Sequence, residues 1–270
     1  MPNEFDTYPL SAAVGTTISG LDLSQPLDAK TIRQLKDVLQ DRHLLLFRGQ
    51  DLSPDQQAQF ARHFGDTSQR ELNKESAENN DNQYVSNVRA DRNFGKGELD
   101  FHFDQLFLDD PLKVLILYAV EIPASGGGTK SLKTEAVYNA MPDSLKDRLR
   151  GLRCRHARAY DKKTTAHWKV FDAEEELPSW VYPLRQRNPS TGKTAIWVNK
   201  LTTISIEDME PNASATLIDE VQSHFYDEGL AYSHAWRSGD LILWDNLVLQ
   251  HARLPFDENS HRTLRRTAIL

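Results

Sequence analysis

In the segment Phe101-His102-Phe103-Asp104-Gln105 an imidazole and a carboxylate stand two residues apart, and a second histidine, His251, follows an apolar stretch far downstream. Two imidazoles and one carboxylate are the donors of a facial triad, which fills one face of an octahedral ferrous ion and leaves the other open to cosubstrate and oxygen. If His102 and Asp104 share a strand, side chains two apart point the same way and reach one metal, while Phe101 and Phe103 turn away. A His-x-Asp pair often arises by chance, so the third donor matters. His251 supplies it from another strand end, after Trp244-Asp245-Asn246 and Gln250. The remaining histidines fit less well. His43 and His63 fall in a core strand and a helix, His156, His167 and His224 in charged stretches, and His234 and His261 lack a strand-end setting.

Two further residues point to a cosubstrate. Arg262 lies eleven residues after His251, and Thr129 follows the run Gly126-Gly127-Gly128. A dicarboxylate that chelates a metal through its keto-acid end needs its far carboxylate held, and a guanidinium with a hydroxyl does this through charge-assisted hydrogen bonds. The plainer alternative makes Arg262, Arg265 and Arg266 a solvated basic edge.

The elements that must position these groups are mostly strands. Residues 15–23 alternate like an early strand, and Asp28 caps a helix with Ile32, Leu35, Val38 and Leu39 on one face. The run from His43 to Phe47 predicts a buried strand, and Ser53-Pro54 opens a helix to about His63. Residues 66–96 are polar around a short strand near Tyr84, as expected of a lid loop. Strands are predicted over Leu99–Leu106, Val114–Glu121 and from Thr129 to Leu132. Thr134 to Arg150 reads as helix broken at Met141-Pro142, and Ala157 to Glu176 as a charged, poorly periodic middle. Strands return at Trp180–Leu184 and Ala195–Val198, joined through Asn188–Gly192. An amphipathic helix over Pro211–Asp227 precedes strands at Leu230–Trp236, Asp240–Trp244 and Thr263–Ile269. No repeat or linker divides the 270 residues, so one domain is expected, a twisted two-sheet barrel with helices packed outside.

Acidic residues outnumber basic ones, 39 to 32, for a net charge of −7, and the basic ones are scattered. That argues against nucleic acid or an anionic membrane as partner and for a small molecule. Cys154 is the sole cysteine, which excludes an internal disulfide and any cysteine-built zinc or iron–sulfur site. The N-terminus lacks a secretory pattern and Val114 to Val120 is too short to span a bilayer. A soluble, cytoplasmic protein is expected, with its oligomeric state open, a homo-oligomer included.

With these residues in view, the chain resembles the taurine dioxygenase and 2,4-dichlorophenoxyacetate dioxygenase family of iron(II)- and 2-oxoglutarate-dependent oxygenases. The resemblance runs through Ile18-Ser19-Gly20-Leu21-Asp22-Leu23, Leu45-Leu46-Phe47-Arg48-Gly49-Gln50, Phe64-Gly65, His102-Phe103-Asp104, Gly127-Gly128-Thr129, Trp244-Asp245-Asn246 and Gln250-His251. It implies a mostly β fold with α decoration, a double-stranded β-helix (jelly-roll, cupin-like) core with flanking helices. It also implies His102, Asp104 and His251 as ligands of Fe(II), Thr129 and Arg262 on the distal carboxylate of 2-oxoglutarate, and Arg266 as a second arginine facing the pocket. The implied reaction consumes O2, releases succinate and CO2, and hydroxylates a small anionic or zwitterionic substrate, with C–S, C–O or C–N cleavage or desaturation as variants.

The departures bear on the substrate. Where the taurine enzyme carries a sulfonate-contacting histidine this chain has Arg70, a pocket tyrosine becomes Asn73, and an aromatic before Thr202-Thr203 becomes Leu201. Glu98 and Asp100 could meet an amine, and Arg70 or Arg158 an acid group, although solvated loop charge is the plainer reading. Asp104 itself argues against halogenation, since related halogenases lack that carboxylate. Two other classes stay open: a non-catalytic β-barrel that binds a small acid, and a zinc-dependent hydrolase on the same three ligands.

Overall fold

The computed structural model describes residues 4–12, 14–68, 81–90, 92–93, 97–158, 178–188, 191–227 and 229–270. The first half contains β1 (Asp6–Pro9), β2 (Thr16–Ser19), α1 (Ala29–Arg42), β3 (Leu44–Phe47), α2 (Pro54–Ala61), β4 (Asn82–Ser86), β5 (Arg92–Asn93), β6 (Leu99–His102) and β7 (Val114–Glu121). Next come β8 (Thr129–Lys133), α3 (Thr134–Ala140), α4 (Asp143–Arg148), β9 (Arg153–Ala157), β10 (Ser179–Pro183), β11 (Arg185–Arg187), β12 (Thr194–Ile196) and β13 (Thr203–Ile206). The chain finishes with α5 (Pro211–Ser223), a 3-10 turn at His224–Tyr226, β14 (Ala231–His234), β15 (Leu241–Asp245), β16 (Leu249–Arg253) and β17 (Thr263–Ile269).

An eight-stranded sheet, β1-β2-β3-β15-β7-β17-β4-β5, faces a four-stranded one, β14-β8-β16-β6. This is the jelly roll. Side chains alternate across each strand, so one sequence run feeds two cores. Leu45 and Phe47 of β3, Ile116 of β7 and Leu243 of β15 pack outward against Leu35 and Leu39 of α1 and Phe60 of α2. Their neighbours Leu44, Leu46, Leu115, Leu117, Ile242 and Trp244 pack inward. Burial on both faces is why these strands read as continuous apolar runs rather than as alternation. The small sheet is divided the same way: Phe101, Leu132 and Ala252 lie under α3 and α5 with Val137, Leu217, Val221 and Phe225. Their neighbours His102, Thr129, His251 and Arg253 therefore face the large sheet across the barrel.

The caps follow the sequence. Asp28 accepts from the backbone N–H groups of Lys30 and Thr31, and Ser53 with Gln56 forms a capping box at α2. His43 does not begin a strand. It ends α1 in the left-handed region at φ 63°, with its N–H on the Leu39 carbonyl. The strand expected over Leu99–Leu106 stops at His102, the last helix stops at Ser223 before the 3-10 turn, and β1, β9, β11 and β13 are strands where none was expected. Among the described residues no helix is long and apolar enough to cross a membrane.

Candidate metal centre and cosubstrate pocket

His102 is the last residue of β6 and pairs in register with His251 of β16, which brings the ring centroids to 4.2 Å. The Nδ1–H of His102 donates to the Asp100 carbonyl at 2.7 Å, a bond that leaves the Nε2 lone pair for an ion. Asp104 arrives by a different route from the one expected. It lies in a turn beyond the strand, followed by Gln105 at φ 57°, so strand alternation does not place it. The buried Asn246 side chain does. Its Oδ1 accepts from the Asp104 N–H at 3.1 Å, and its Nδ2 donates to the Asp104 carbonyl at 3.1 Å and the Leu112 carbonyl at 2.8 Å.

The two oxygens of Asp104 have separate partners. Oδ2 accepts from Arg266 Nε at 2.9 Å and Nη2 at 2.5 Å, while Arg266 Nη1 donates to Gln83 Oε1 at 2.7 Å. Oδ1 faces His102 Nε2 at 3.3 Å and His251 Nε2 at 3.8 Å. One donor atom from each of these three residues lies within 4.8 Å of the others, so the set could hold one metal ion. Burial alone would push the Asp104 carboxyl up. The charge of Arg266 is the largest of the opposing effects that hold the group well below the usual carboxylate range. Burial, then the neighbouring His102, holds His251 down at about 3, so its imidazole is neutral and its lone pair available at neutral pH.

A second cluster begins where β8 starts. Thr129 Oγ1 accepts from the indole N–H of Trp236 at 3.0 Å, which leaves the hydroxyl proton for another acceptor. Trp236 stands edge-on to His234, whose Nε2 meets Asp240 Oδ2 at 3.1 Å, and Arg48 Nη1 meets the same oxygen at 2.7 Å. His234 thus does occupy a strand end, contrary to expectation, but its ring serves this buried pair and stands apart from the metal set. Arg262 is 2% exposed, with Nε on the Gly127 carbonyl at 2.9 Å and its backbone N–H on Asn87 Oδ1 at 2.9 Å. A Cβ on Gly127, which has φ 64°, would lie 3.0 Å from Arg262 Cδ and Nε, so the glycine makes room for the guanidinium. The solvated basic edge is therefore wrong. Arg265 points the opposite way, to Gln57 Oε1 and the Leu52 carbonyl, and is also buried.

Both clusters open into one cavity. Its apolar wall is Val85, Leu99, Leu117, Trp244 and Leu264, and its polar groups include Gln83, Thr129, Arg253, Arg262 and Arg266 beside the triad. Leu201 does not line it; buried, it packs behind Leu99 against Phe107. Glu98 is exposed and also outside the lining, and Asp100 accepts from the Tyr226 hydroxyl. Arg70 and Asn73 lie outside the described residues. Sequence reasoning missed the clamp by Asn246, the Trp236 bond and Arg253. The last was within reach, because Arg253 follows His251 by two, the spacing of a shared strand face.

The family described as "Taurine catabolism dioxygenase TauD, TfdA family" matches residues 6–268. The chain belongs to this family. It is 30% identical over 281 residues to pentalenolactone F synthase of Streptomyces avermitilis, spanning 96% of this chain and 92% of that protein. It is 27% identical to the alpha-ketoglutarate-dependent 2,4-dichlorophenoxyacetate dioxygenase of Cupriavidus pinatubonensis, over 97% and 96% of the two chains. The fold is shared with the crystal structure of AAD-2 in complex with Mn(II) and N-oxalylglycine, at a TM-score of 0.83 and 24% identity over 98% and 97% of the chains. As a TauD/TfdA protein the chain is a 2-oxoglutarate-dependent dioxygenase that also requires oxygen and a metal.

Membership gives the Trp236 contact a testable consequence. Trp236→Phe keeps the ring and removes the N–H that orients Thr129. Because one neutral hydrogen bond contributes about 1 kcal/mol net, the KM for 2-oxoglutarate should rise by about threefold to tenfold with kcat little changed. An unchanged KM, measured by succinate formation, would show that the indole does not position the hydroxyl.

Proposed function

We propose that the metal is Fe(II), held by His102 Nε2, Asp104 Oδ1 and His251 Nε2, and that the enzyme hydroxylates a small organic anion or zwitterion. The observation that carries this reading is the split use of Asp104: Arg266 takes one oxygen while the other converges with two imidazoles. Two imidazoles and a carboxylate suit ferrous iron with open positions. Iron bound there with 2-oxoglutarate supplies oxygen activation, so that substrate R–H, 2-oxoglutarate and O2 become R–OH, succinate and CO2.

The chain's own groups bind and orient. Thr129 offers its hydroxyl proton, and Arg262 its guanidinium, to the distal carboxylate of 2-oxoglutarate. His251 stays neutral and Asp104 stays ionised, so neither must lose a proton to accept a metal at neutral pH. Val85, Leu117, Trp244 and Leu264 keep bulk water from the reacting groups, which strengthens every charge interaction inside. Where hydroxylation puts oxygen on a carbon that bears sulfur, oxygen or nitrogen, the product can collapse with cleavage of that bond.

Protein loaded anaerobically with Fe(II) is expected to bind one equivalent of 2-oxoglutarate and, once oxygen is admitted, to form succinate and CO2 in equal amounts. Metal-independent binding without turnover would favour an acid-binding barrel. Zinc-supported hydrolysis without oxygen or 2-oxoglutarate would favour a hydrolase.

A further inference from the structure

Arg253 stands opposite Thr129 in the β16–β8 register. Residues facing each other in an antiparallel pair hold their Cβ atoms about 5 Å apart, so the arginine stem and the threonine hydroxyl leave neighbouring points of one sheet face. Arg253 is 5% exposed and lines the cavity with Thr129 and Arg262. Arg262 reaches the same corner from the other side, against Gly127, two residues before Thr129.

The charge of this corner points to its ligand. Two buried arginines in one cavity wall offer an anion charge-assisted hydrogen bonds from two forks. Thr129 and Arg262 are the groups proposed for the cosubstrate's far carboxylate, and Arg253 faces Thr129 across the strand pair.

Resting on the reading of this cavity as a 2-oxoglutarate site, we infer that Arg253 is a second guanidinium on the distal carboxylate, acting with Arg262 and Thr129 to select dicarboxylate 2-oxo acids. The pair accounts for two features at once: a buried arginine on the same strand face as a metal ligand, and like charges placed side by side in the wall of a binding cavity.

Anaerobic titration calorimetry on the full chain loaded with Mn(II) tests this, with 2-oxoglutarate and 2-oxopentanoate, which carries a methyl in place of the distal carboxylate. R253M should weaken 2-oxoglutarate by about tenfold or more and leave 2-oxopentanoate within about twofold of wild type, the loss expected for a charge-assisted hydrogen bond. R253K, which keeps the charge without the fork, should fall between, and it decides the matter if R253M does not fold. If R262M loses 2-oxoglutarate while both Arg253 variants bind it like wild type, the role of Arg253 is overturned and the cavity keeps its reading. Equal loss of both ligands in the Arg253 variants marks a structural role and also overturns it. If R262M too binds 2-oxoglutarate normally, the reading of the cavity fails and takes this inference with it.

Discussion

His102→Ala is expected to give a folded protein that retains no stoichiometric metal after desalting and forms no succinate. His102 is 4% exposed, its Nδ1–H is spent on the Asp100 carbonyl, and its Nε2 faces Asp104 Oδ1 at 3.3 Å. Its removal leaves one imidazole and one carboxylate, too few to fill a face of the metal. Loss of a partner that merely orients a ligand costs about tenfold to a hundredfold in metal affinity, so loss of a ligand itself should exceed about a hundredfold. Metal content by elemental analysis and 2-oxoglutarate decarboxylation should fall together, with circular dichroism like wild type. Normal metal content and turnover in this variant would remove the assignment.

Arg262→Ala should raise the 2-oxoglutarate requirement far more than it lowers the rate at saturation. Losing one partner of a buried, hydrogen-bonded charge pair costs about 2 to 5 kcal/mol, which corresponds to a KM increase from about thirtyfold upward. Part of the loss is structural, because Arg262 Nε also holds the Gly127 carbonyl beside Thr129. A thermal melt separates that share: lowered stability with an unchanged KM would show that Arg262 supports the turn and does not touch the cosubstrate.

The three candidate ligands were legible because their chemistry is written in residue types, but β16 (Leu249–Arg253), which carries His251 mid-strand, was not expected. The way Asp104 reaches the site was not legible. Its turn depends on a clamp from Asn246, 142 residues away in sequence. The arginines near the C-terminus were ambiguous for a related reason, since a guanidinium reads as surface until its partners are known. Strand alternation on β17 sends Arg266 inward to Asp104 and Gln83 and Arg265 outward to Gln57. Strand β9 was missed although its pattern was present: Arg153 and Arg155 are exposed while Cys154 and His156 are buried, an alternation masked by the charged stretch around it. The long apolar strands β7 and β15 were evident, and they carry the wall against which the site is built.

One metal gripped by His102 at the end of β6, His251 in the middle of β16 and Asp104 in a turn is the feature on which the function depends. Anomalous diffraction from crystals grown anaerobically with Fe(II) or Mn(II) tests it most directly. A single strong peak is expected about 2 Å from His102 Nε2, Asp104 Oδ1 and His251 Nε2, with the face toward Thr129 and Arg262 left to the cosubstrate. A metal bound elsewhere, or these three atoms without a peak at saturating metal, would contradict it.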